Sequence, residues 1–254
     1  MTDPSARNVL ITGGAKRIGR AIALGLATDG WGVAVHHRSS PDAAEETVQQ
    51  IVDAGGRAHA VQADLVEVSS LSPLIDEAAA KLGPLTALIN NASLFADDDL
   101  DSLTPESWAA HMDTNLRAPL FLAQAFARQL PESSAGNIIN IIDQRVWRLT
   151  PRFLSYTASK AGLWTLTQTL AQALAPKIRV NGIGPGPTLS NDRQSNADFE
   201  AQAASTLLQR QISTEEICTA VRFILASPAM TGQMIALDSG QHLAWETPDA
   251  VGPE

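Results

Sequence analysis

Short runs of β-branched and aliphatic residues alternate along the chain with longer segments of helical pattern, and this alternation restricts the fold more than any other feature. Most of the short runs are continuously apolar, which is typical of strands buried on both faces of a parallel sheet. The predicted strands are Asn8–Thr12, Gly32–His36, Ala58–Gln62, Ala87–Asn90, Asn137–Ile142, Ile178–Gly182 and Gln233–Leu237.

The longer segments are predicted to be helices. The first of them carries apolar residues at positions 18, 21, 22, 24 and 26, which share one helix face. The predicted helices are Arg17–Asp29, Asp42–Ala54, Leu71–Leu82, Pro105–Gln129, Tyr156–Leu174 and Thr214–Ala226. Strands that alternate with helices predict an α/β fold, in which a doubly wound, seven-stranded parallel sheet is flanked by helices.

We find no linker and no internal repeat, so we expect a single domain over residues 1–254. The longest irregular segment, Gly184–Asn196, predicts a functional loop at about 184–205. A tail at about 246–254 has two prolines and little hydrophobicity, and we expect it to be disordered or to pack on a neighbouring subunit.

Composition excludes several classes of function. The net charge of -9 argues against a nucleic-acid partner. The one cysteine, Cys218, lies in an apolar stretch and is expected to be buried, and no zinc-type spacing predicts a metal site. We see no signal peptide and no apolar run long enough for a membrane span, so the expected location is the cytoplasm.

A glycine-rich turn, TGGAKRIG at 12–19, joins the first predicted strand to the first predicted helix. Glycines let a backbone approach a pyrophosphate, and a helix N-terminus offers free N–H groups to that anion. The Gly-x5-Gly spacing differs from the usual GxGxxG pattern, and a purely structural turn is the alternative. The turn predicts a Rossmann-type dinucleotide site at Gly13, Lys16, Arg17, Ile18 and Gly19.

The second predicted strand ends in HHRSS at 36–40, where NAD-binding domains usually carry a carboxylate. A carboxylate would repel a 2′-phosphate, whereas Arg38, Ser39 and His37 can bind one. A solvated basic turn is the alternative. Basic residues clustered at this point of an acidic chain favour NADPH as the cofactor.

Tyr156 is the only tyrosine, and it precedes Lys160 by four residues in a predicted helix, so both project from one face. This pair alone is a weak signal. Three further motifs accompany it: Asn90-Asn91-Ala92 after the fourth strand, Asn115 within a helix, and Pro185-Gly186 after the sixth strand.

With the glycine turn, these motifs resemble the short-chain dehydrogenase/reductase family over nearly the whole chain, from Val9 to about His242. The resemblance implies that Tyr156, Lys160 and Asn115 are catalytic. It also implies a homotetramer with the helices Pro105–Gln129 and Tyr156–Leu174 at one interface. The further cofactor contacts that it implies are Asp64, Leu65, Asn91, Ala92, Ser93, Tyr156, Lys160, Pro185, Gly186 and Thr188.

Hydride transfer to a C=O or C=N group places negative charge on the heteroatom, which must then be protonated. Tyr156 is expected to supply this proton, with Lys160 lowering the pKa of the phenol. In the family, the lysine also holds the nicotinamide ribose and the asparagine helps a water chain to resupply the proton.

Asp143 stands thirteen residues before the tyrosine, where most family members have a serine. An ionised aspartate cannot donate to a carbonyl oxygen and would repel an alkoxide, but it can accept from ring N–H groups. Asp143 is therefore expected to act with Tyr156 on a nitrogen heterocycle. An unrelated substrate or lost activity is the alternative.

The aspartate and the sequences TGGAKRIG, HHRS and NNASLF resemble the pteridine reductase and dihydromonapterin reductase branch of the family. The resemblance implies that Arg17 and Ser93 contact substrate and cofactor phosphate, and that Phe95 stacks on the pterin. Phe95 as a core residue is the alternative. Trp147, Arg148 and Arg193 are further candidates for lining the substrate site.

Three functions are consistent with the sequence. The first is an NADPH-dependent dihydropterin or dihydrofolate reductase, and the second is a carbonyl or 3-oxoacyl reductase of the same family. The third, a cofactor-sensing protein without turnover, does not need Asn115, Tyr156 and Lys160, so their presence argues against it.

Overall fold

Seven parallel strands form one sheet at the centre of the molecule, as the sequence predicts. A computed structural model describes residues 7–190 and 195–245. The sheet order is β3-β2-β1-β4-β5-β6-β7. The strands are β1 (Asn8–Ile11), β2 (Gly32–His37), β3 (Arg57–Gln62), β4 (Ala87–Asn90), β5 (Gly136–Ile141), β6 (Ile178–Pro185) and β7 (Met234–Leu237).

The helices cover both faces of this sheet. They are α1 (Arg17–Thr28), α2 (Pro41–Asp53), α3 (Val68–Leu82), α4 (Pro105–Met112), α5 (Ala118–Gln129), α6 (Leu154–Leu174), α7 (Asn196–Ala204) and α8 (Thr214–Ala226). None of these described helices is long and apolar enough to cross a membrane.

Alternate residues of each strand supply two separate layers of core. Val9 and Ile11 face the layer that contains α1, α2 and α8, whereas Leu10 faces the layer that contains α3 and α5. All three side chains are completely buried. Burial on both faces explains why the strands are continuously apolar in sequence.

The predicted helix Pro105–Gln129 is interrupted, which corrects the sequence prediction. Asp113–Arg117 forms a π-helical turn between α4 and α5. Pro119 has no N–H to donate to the carbonyl of Asn115, four residues earlier, and the Ala118 N–H bonds instead to the carbonyl of Asp113. The π-turn therefore lies at one of the predicted catalytic residues.

The predicted loop at 184–205 is also partly wrong. Its first two residues extend β6, and α7 occupies Asn196–Ala204. Ser195 caps this helix by accepting from the N–H of Asp198 at 3.1 Å. Residues 191–194 of the loop, with Arg193, and the predicted tail at 246–254 lie outside the described residues.

Candidate active site

The glycine turn leads from β1 into the N-terminus of α1. Gly13 has φ +63°, in the left-handed region that glycine adopts without strain. Lys16 is the N-cap of α1 and makes no side-chain capping bond, and the first turn of the helix contains no acidic residue. The N-terminal N–H groups of α1 therefore lack a side-chain cap and suit an anion.

His36, which the sequence analysis missed, holds this turn from β2. Its Nδ1 accepts from the Gly13 N–H at 3.0 Å, and its Nε2 lies 3.1 Å from the carbonyl oxygen of Ala63. Burial lowers the pKa of His36 to about 4, so the ring is neutral near pH 7 and donates from Nε2. The only sequence signal for this role of His36 was its place as a polar residue in an apolar strand.

Thr12 and Asn91 join the glycine turn to the segment after β4. The Thr12 hydroxyl accepts from the N–H groups of Asn91 and Ala92 at 2.9 and 3.0 Å. The Asn91 side chain donates to the carbonyl oxygens of Thr12 and Gly13. These bonds fix two predicted cofactor segments against each other at the carboxyl edge of the sheet.

We expect Gly19→Ala to weaken dinucleotide binding by at least tenfold and to destabilise the fold by about 1–3 kcal/mol. A Cβ at this position would lie 2.2 Å from the Gly13 oxygen and 2.6 Å from Asn91 Nδ2, so the glycine turn must shift. Calorimetric NADPH titration and thermal unfolding measure both effects. Gly55→Ala is the control: Gly55 has φ +82°, so the substitution strains the backbone, but the added Cβ meets no atom within 4 Å. Equal NADPH affinity in both variants would contradict this account of the turn.

Tyr156, Lys160 and Asp143 meet where α6 passes the end of β5. The Tyr156 hydroxyl donates to Asp143 Oδ2 at 2.8 Å, and the Lys160 ammonium donates to the Ile141 carbonyl at 2.8 Å. Lys160 Nζ lies 5.8 Å from the centre of the Tyr156 ring. Both α6 side chains are buried, with 5% and 2% of their surface exposed. The predicted catalytic pair thus shares one site with the aspartate.

The electrostatics of this group correct one expectation. Burial, followed by the charge and hydrogen bond of Asp143, raises the pKa of Tyr156 well above its ordinary value. Burial also raises the pKa of Asp143 and lowers that of Lys160 to about 8. The prediction that Lys160 lowers the tyrosine pKa is wrong for this arrangement, because burial and Asp143 raise that pKa and the cation that acts against them is Arg145. Tyr156 is a protonated phenol that has a proton to donate.

We expect Asp143→Asn to raise the unfolding temperature near neutral pH. The folded-state pKa of Asp143 is raised, so the stability that this group contributes is complete below its unfolded pKa and is lost as pH rises through the folded value. Asparagine does not ionise, so the variant does not lose this stability as pH rises. Melting curves of both proteins from about pH 4 to about pH 8 should diverge as pH rises. A variant that is less stable than the wild type at neutral pH would contradict the raised pKa.

Asn115 is completely buried in the π-turn and does not line the groove. Its Oδ1 accepts from Ser93 Oγ at 3.2 Å and from the Leu94 N–H at 2.8 Å. Its Nδ2 donates to the Leu94 carbonyl and to Ser159 Oγ. The side chain is therefore occupied in joining the segment after β4 to α6, a positioning role.

Phe95 belongs to an aromatic wall beside the tyrosine. Its ring stacks on Phe153, with centroids 4.7 Å apart and planes at 12°, and meets Tyr156 edge-on at 4.6 Å. It lines two adjoining cavities of ≈ 390 and ≈ 440 Å³, which argues against its alternative assignment as a core residue. Phe153 and its neighbour Arg145 were not predicted, since only the fold brings them to Phe95.

A buried network fixes the start of α6, and sequence reasoning also missed it. Asp98 accepts from the backbone N–H and the hydroxyl of Ser155, and from Ser107 Oγ. His111 Nε2 accepts from the Ala96 N–H at 3.1 Å, so its Nδ1 carries the proton beside Ser155 Oγ at 2.7 Å. The network ties the segment that carries Phe95 to the residue before Tyr156.

Most of the predicted site residues line one continuous groove. They are Gly13, Lys16, Arg17, Ile18, Gly19, Asn91, Ala92, Ser93, Phe95, Asp143, Tyr156, Lys160, Pro185, Gly186 and Thr188. Arg17 has φ +54°, and its guanidinium donates to the carbonyls of Leu189 and Ser190.

The other predicted contacts lie outside the groove lining. Arg38, Ser39 and Asp64 are exposed at the carboxyl edge, where β2 and β3 end. His37 is buried, and its Nδ1 has no hydrogen-bond partner among the described residues. Leu65 belongs to the core beside α3, so its side chain is not available to a ligand.

Trp147 and Arg148 are exposed and line neither cavity, so the structure does not support them as substrate contacts. Cys218 is buried, as expected. In the described ranges, no three His, Cys, Asp or Glu side chains are grouped so that they could hold a metal ion.

Comparison with known families matches residues 7–201 to the short chain dehydrogenase family. A curated relative, a 3-oxoacyl-[acyl-carrier-protein] reductase from Synechocystis sp., is 33% identical over 244 residues, covering 94% of this chain and 98% of the relative.

Two solved structures are more similar. FolM alternative dihydrofolate reductase 1 from Brucella canis, complexed with NADP, superposes with a TM-score of 0.94 at 49% identity and covers 96% of this chain and 97% of its own. The same-named protein from Brucella suis, also in complex with NADP, gives a TM-score of 0.93 at 49% identity, covering 96% and 98%.

Proposed function

The chain belongs to the short chain dehydrogenase family, and from this premise we propose that it is an NADPH-dependent reductase of a dihydropterin or dihydrofolate. The observation that carries the proposal is the hydrogen bond of 2.8 Å from the Tyr156 hydroxyl to Asp143 Oδ2. The family position of Asp143 usually holds a serine, which suits a carbonyl substrate. The similarity to two FolM alternative dihydrofolate reductases at 49% identity supports the same substrate class.

The groove suits a dinucleotide cofactor. The uncapped N-terminus of α1 and the basic side chains of Lys16 and Arg17 fit a pyrophosphate. Gly13 leaves room there, since a Cβ would lie 3.1 Å from Asn91 Nδ2. Lys160, Pro185, Gly186 and Thr188 line the far end, where the nicotinamide riboside would be held.

NADP is favoured over NAD by the charges at the end of β2. Arg38 and Ser39 are exposed there and would hold the 2′-phosphate, while His37 supplies a further ring nitrogen. Asp64, on the neighbouring strand end, keeps its carboxylate bonded to the Val66 N–H at 3.0 Å and would approach the adenine with the backbone of Leu65.

When bound, NADPH supplies a hydride to the carbon of the substrate C=N bond. Tyr156 donates its hydroxyl proton to the nitrogen, as a general acid. The phenolate that forms takes up a proton from solvent, and Asp143 orients the phenolic hydroxyl through the contact of 2.8 Å. Lys160 acts on the same proton transfer by holding its charge close to the phenol ring.

The ring of the substrate would lie along Phe95, with Ser93 and Arg17 at its edge. Phe95 presents a flat apolar surface next to Tyr156, and a conjugated heterocycle stacks favourably on such a face. Ser93 and Arg17 line the same groove, and both can donate to polar groups of the substrate.

A panel of substrates tests this assignment against the main alternative, a 3-oxoacyl or other carbonyl reductase. NADPH oxidation is measured with a dihydropterin, a 3-oxoacyl thioester and a small ketone. We expect the wild type to turn over the dihydropterin. Asp143→Ser should lower the rate with the dihydropterin at least tenfold and raise the rate with the ketone. Turnover of carbonyl compounds alone would overturn the proposal, and binding of NADPH without turnover would favour the cofactor-sensing function.

We further propose a homotetramer that acts in the cytoplasm, following the family resemblance. The large apolar side chains of Trp108 on α4 and Phe121 on α5 are exposed by 41% and 37%, which supports an interface on these helices with α6. Sedimentation velocity tests the assembly, and a monomer would contradict it.

A further inference from the structure

Arg145 follows Asp143 by two residues and is bound to it through the backbone. Asp143 is the N-cap of a short 3₁₀ turn, Gln144–Val146, and its Oδ1 accepts from the Arg145 N–H at 2.7 Å. The Arg145 side chain lies over Phe153, with the guanidinium carbon 4.9 Å from the ring centre. Its Nη1 donates to Thr150 Oγ1 at 2.7 Å. The guanidinium is thus fixed against the Phe153 ring, and Arg145 lines one cavity together with Asp143.

Arg145 forms no ion pair with the described residues. Its guanidinium donates to the neutral Thr150 hydroxyl, and its buried Nε has no hydrogen-bond partner among those residues. Arg152 provides a contrast, because its guanidinium covers the same Phe153 ring at 5.4 Å but forms an ion pair with Asp97. The charge of Arg145 therefore favours the ionised form of Asp143, which lines the same cavity.

We propose that Arg145 is a positioning residue for this reaction, which holds the Phe153–Phe95 wall and supplies the positive charge that balances the Asp143 carboxylate. This role of Arg145 rests on the proposed function only for its kinetic consequence. Removal of the charge leaves the backbone bond to Asp143 in place, so the electrostatic contribution can be separated from the turn that carries it.

Other charged or titratable groups face the pair from each surrounding element. Lys160 on α6 lies 5.8 Å from the Tyr156 ring, and His111 on α4 meets that ring at 6.3 Å. Arg17 lines the opposite wall of the groove. The positive charge of Arg145 lowers the pKa of both Asp143 and Tyr156, against the larger effect of burial.

The single tyrosine makes a direct test possible, because isotope-labelled tyrosine gives one NMR resonance, from Tyr156. Its ring carbon bonded to oxygen should report protonation of Asp143 through their hydrogen bond. Asp143→Asn identifies the inflection that belongs to Asp143. The neutral variants are Arg145→Gln and Arg145→Met, the latter of which keeps an apolar stem on Phe153. Arg145→Lys restores the charge, and Arg152→Gln is the matched control.

We expect both neutral variants to raise the Asp143 midpoint by about one pH unit. Arg145→Lys should return the midpoint toward the wild-type value, and Arg152→Gln should leave it unchanged. The pH profile of kcat should shift by the same amount, whereas a change in KM would report a disturbed Phe153–Phe95 wall. An unchanged midpoint in a folded neutral variant, or an equal shift in Arg152→Gln, would overturn the proposal. The NMR measurement needs no turnover, so failure of this proposal can be distinguished from failure of the proposed function.

Discussion

Tyr156→Phe is expected to lower kcat by about 10²–10⁴-fold while the protein stays folded and binds NADPH. The substitution removes one oxygen atom, that of the hydroxyl that donates to Asp143 and is placed to protonate the substrate. The phenyl ring keeps its edge-on contact with Phe95. Single-turnover NADPH oxidation measures the chemical step, and calorimetry measures the affinity.

The variant also separates catalysis from the packing of α6. Tyr156 is 5% exposed, and loss of its hydroxyl leaves Asp143 Oδ2 without that donor. A small change in stability is therefore expected, and the thermal melt records it. If Tyr156→Phe turned substrate over at the wild-type rate, Tyr156 would not be the acid and the role given to Asp143 would fail with it.

Arg38→Asp is expected to change the preference for NADPH over NADH by about 100-fold or more. It removes a charge-assisted contact worth about 1.5–3 kcal/mol and places a carboxylate where the 2′-phosphate would lie. The same carboxylate can accept from the ribose hydroxyls of NADH. The ratio of kcat/KM for the two cofactors gives the effect.

A matched control for the change of charge is Lys81→Asp, in the last turn of α3 and away from the carboxyl edge of the sheet. Lys81 is exposed and pairs with Glu77, so the total charge changes equally without a change at the strand end. The control should keep the cofactor ratio of the wild type. A similar ratio in both variants would show that net charge, and not Arg38, sets the preference.

The parallel sheet was predictable because its strands are buried on both faces, so that each reads as a short apolar run bounded by turns. Asp143 and Tyr156 were predictable as partners by family resemblance. The break in the helix after Pro105 was not predicted, although Pro119 removes a hydrogen-bond donor at that point. Helix α7 was missed despite the Ser195 cap, because its apolar residues are alanines apart from Phe199 and give a weak helical pattern.

The remaining differences between prediction and structure depend on contacts between residues that are far apart in the chain, which the sequence alone does not give. His36 and His37 are adjacent, and only the strand register determines that His36 reaches Gly13. Likewise, Asp98 becomes a helix cap only when the chain returns 57 residues later at Ser155. The pKa of Tyr156 depends on the balance of burial, Asp143 and nearby cations, and this balance reversed the predicted direction.

The most direct test of the account is NADPH oxidation by the purified protein with a dihydropterin, with NADH as the control cofactor and with identification of the product. We predict rapid, NADPH-selective oxidation with formation of the tetrahydropterin, and its loss in Tyr156→Phe. No oxidation of NADPH with any dihydropterin or dihydrofolate, by a protein that binds NADPH and reduces ketones, would contradict the account.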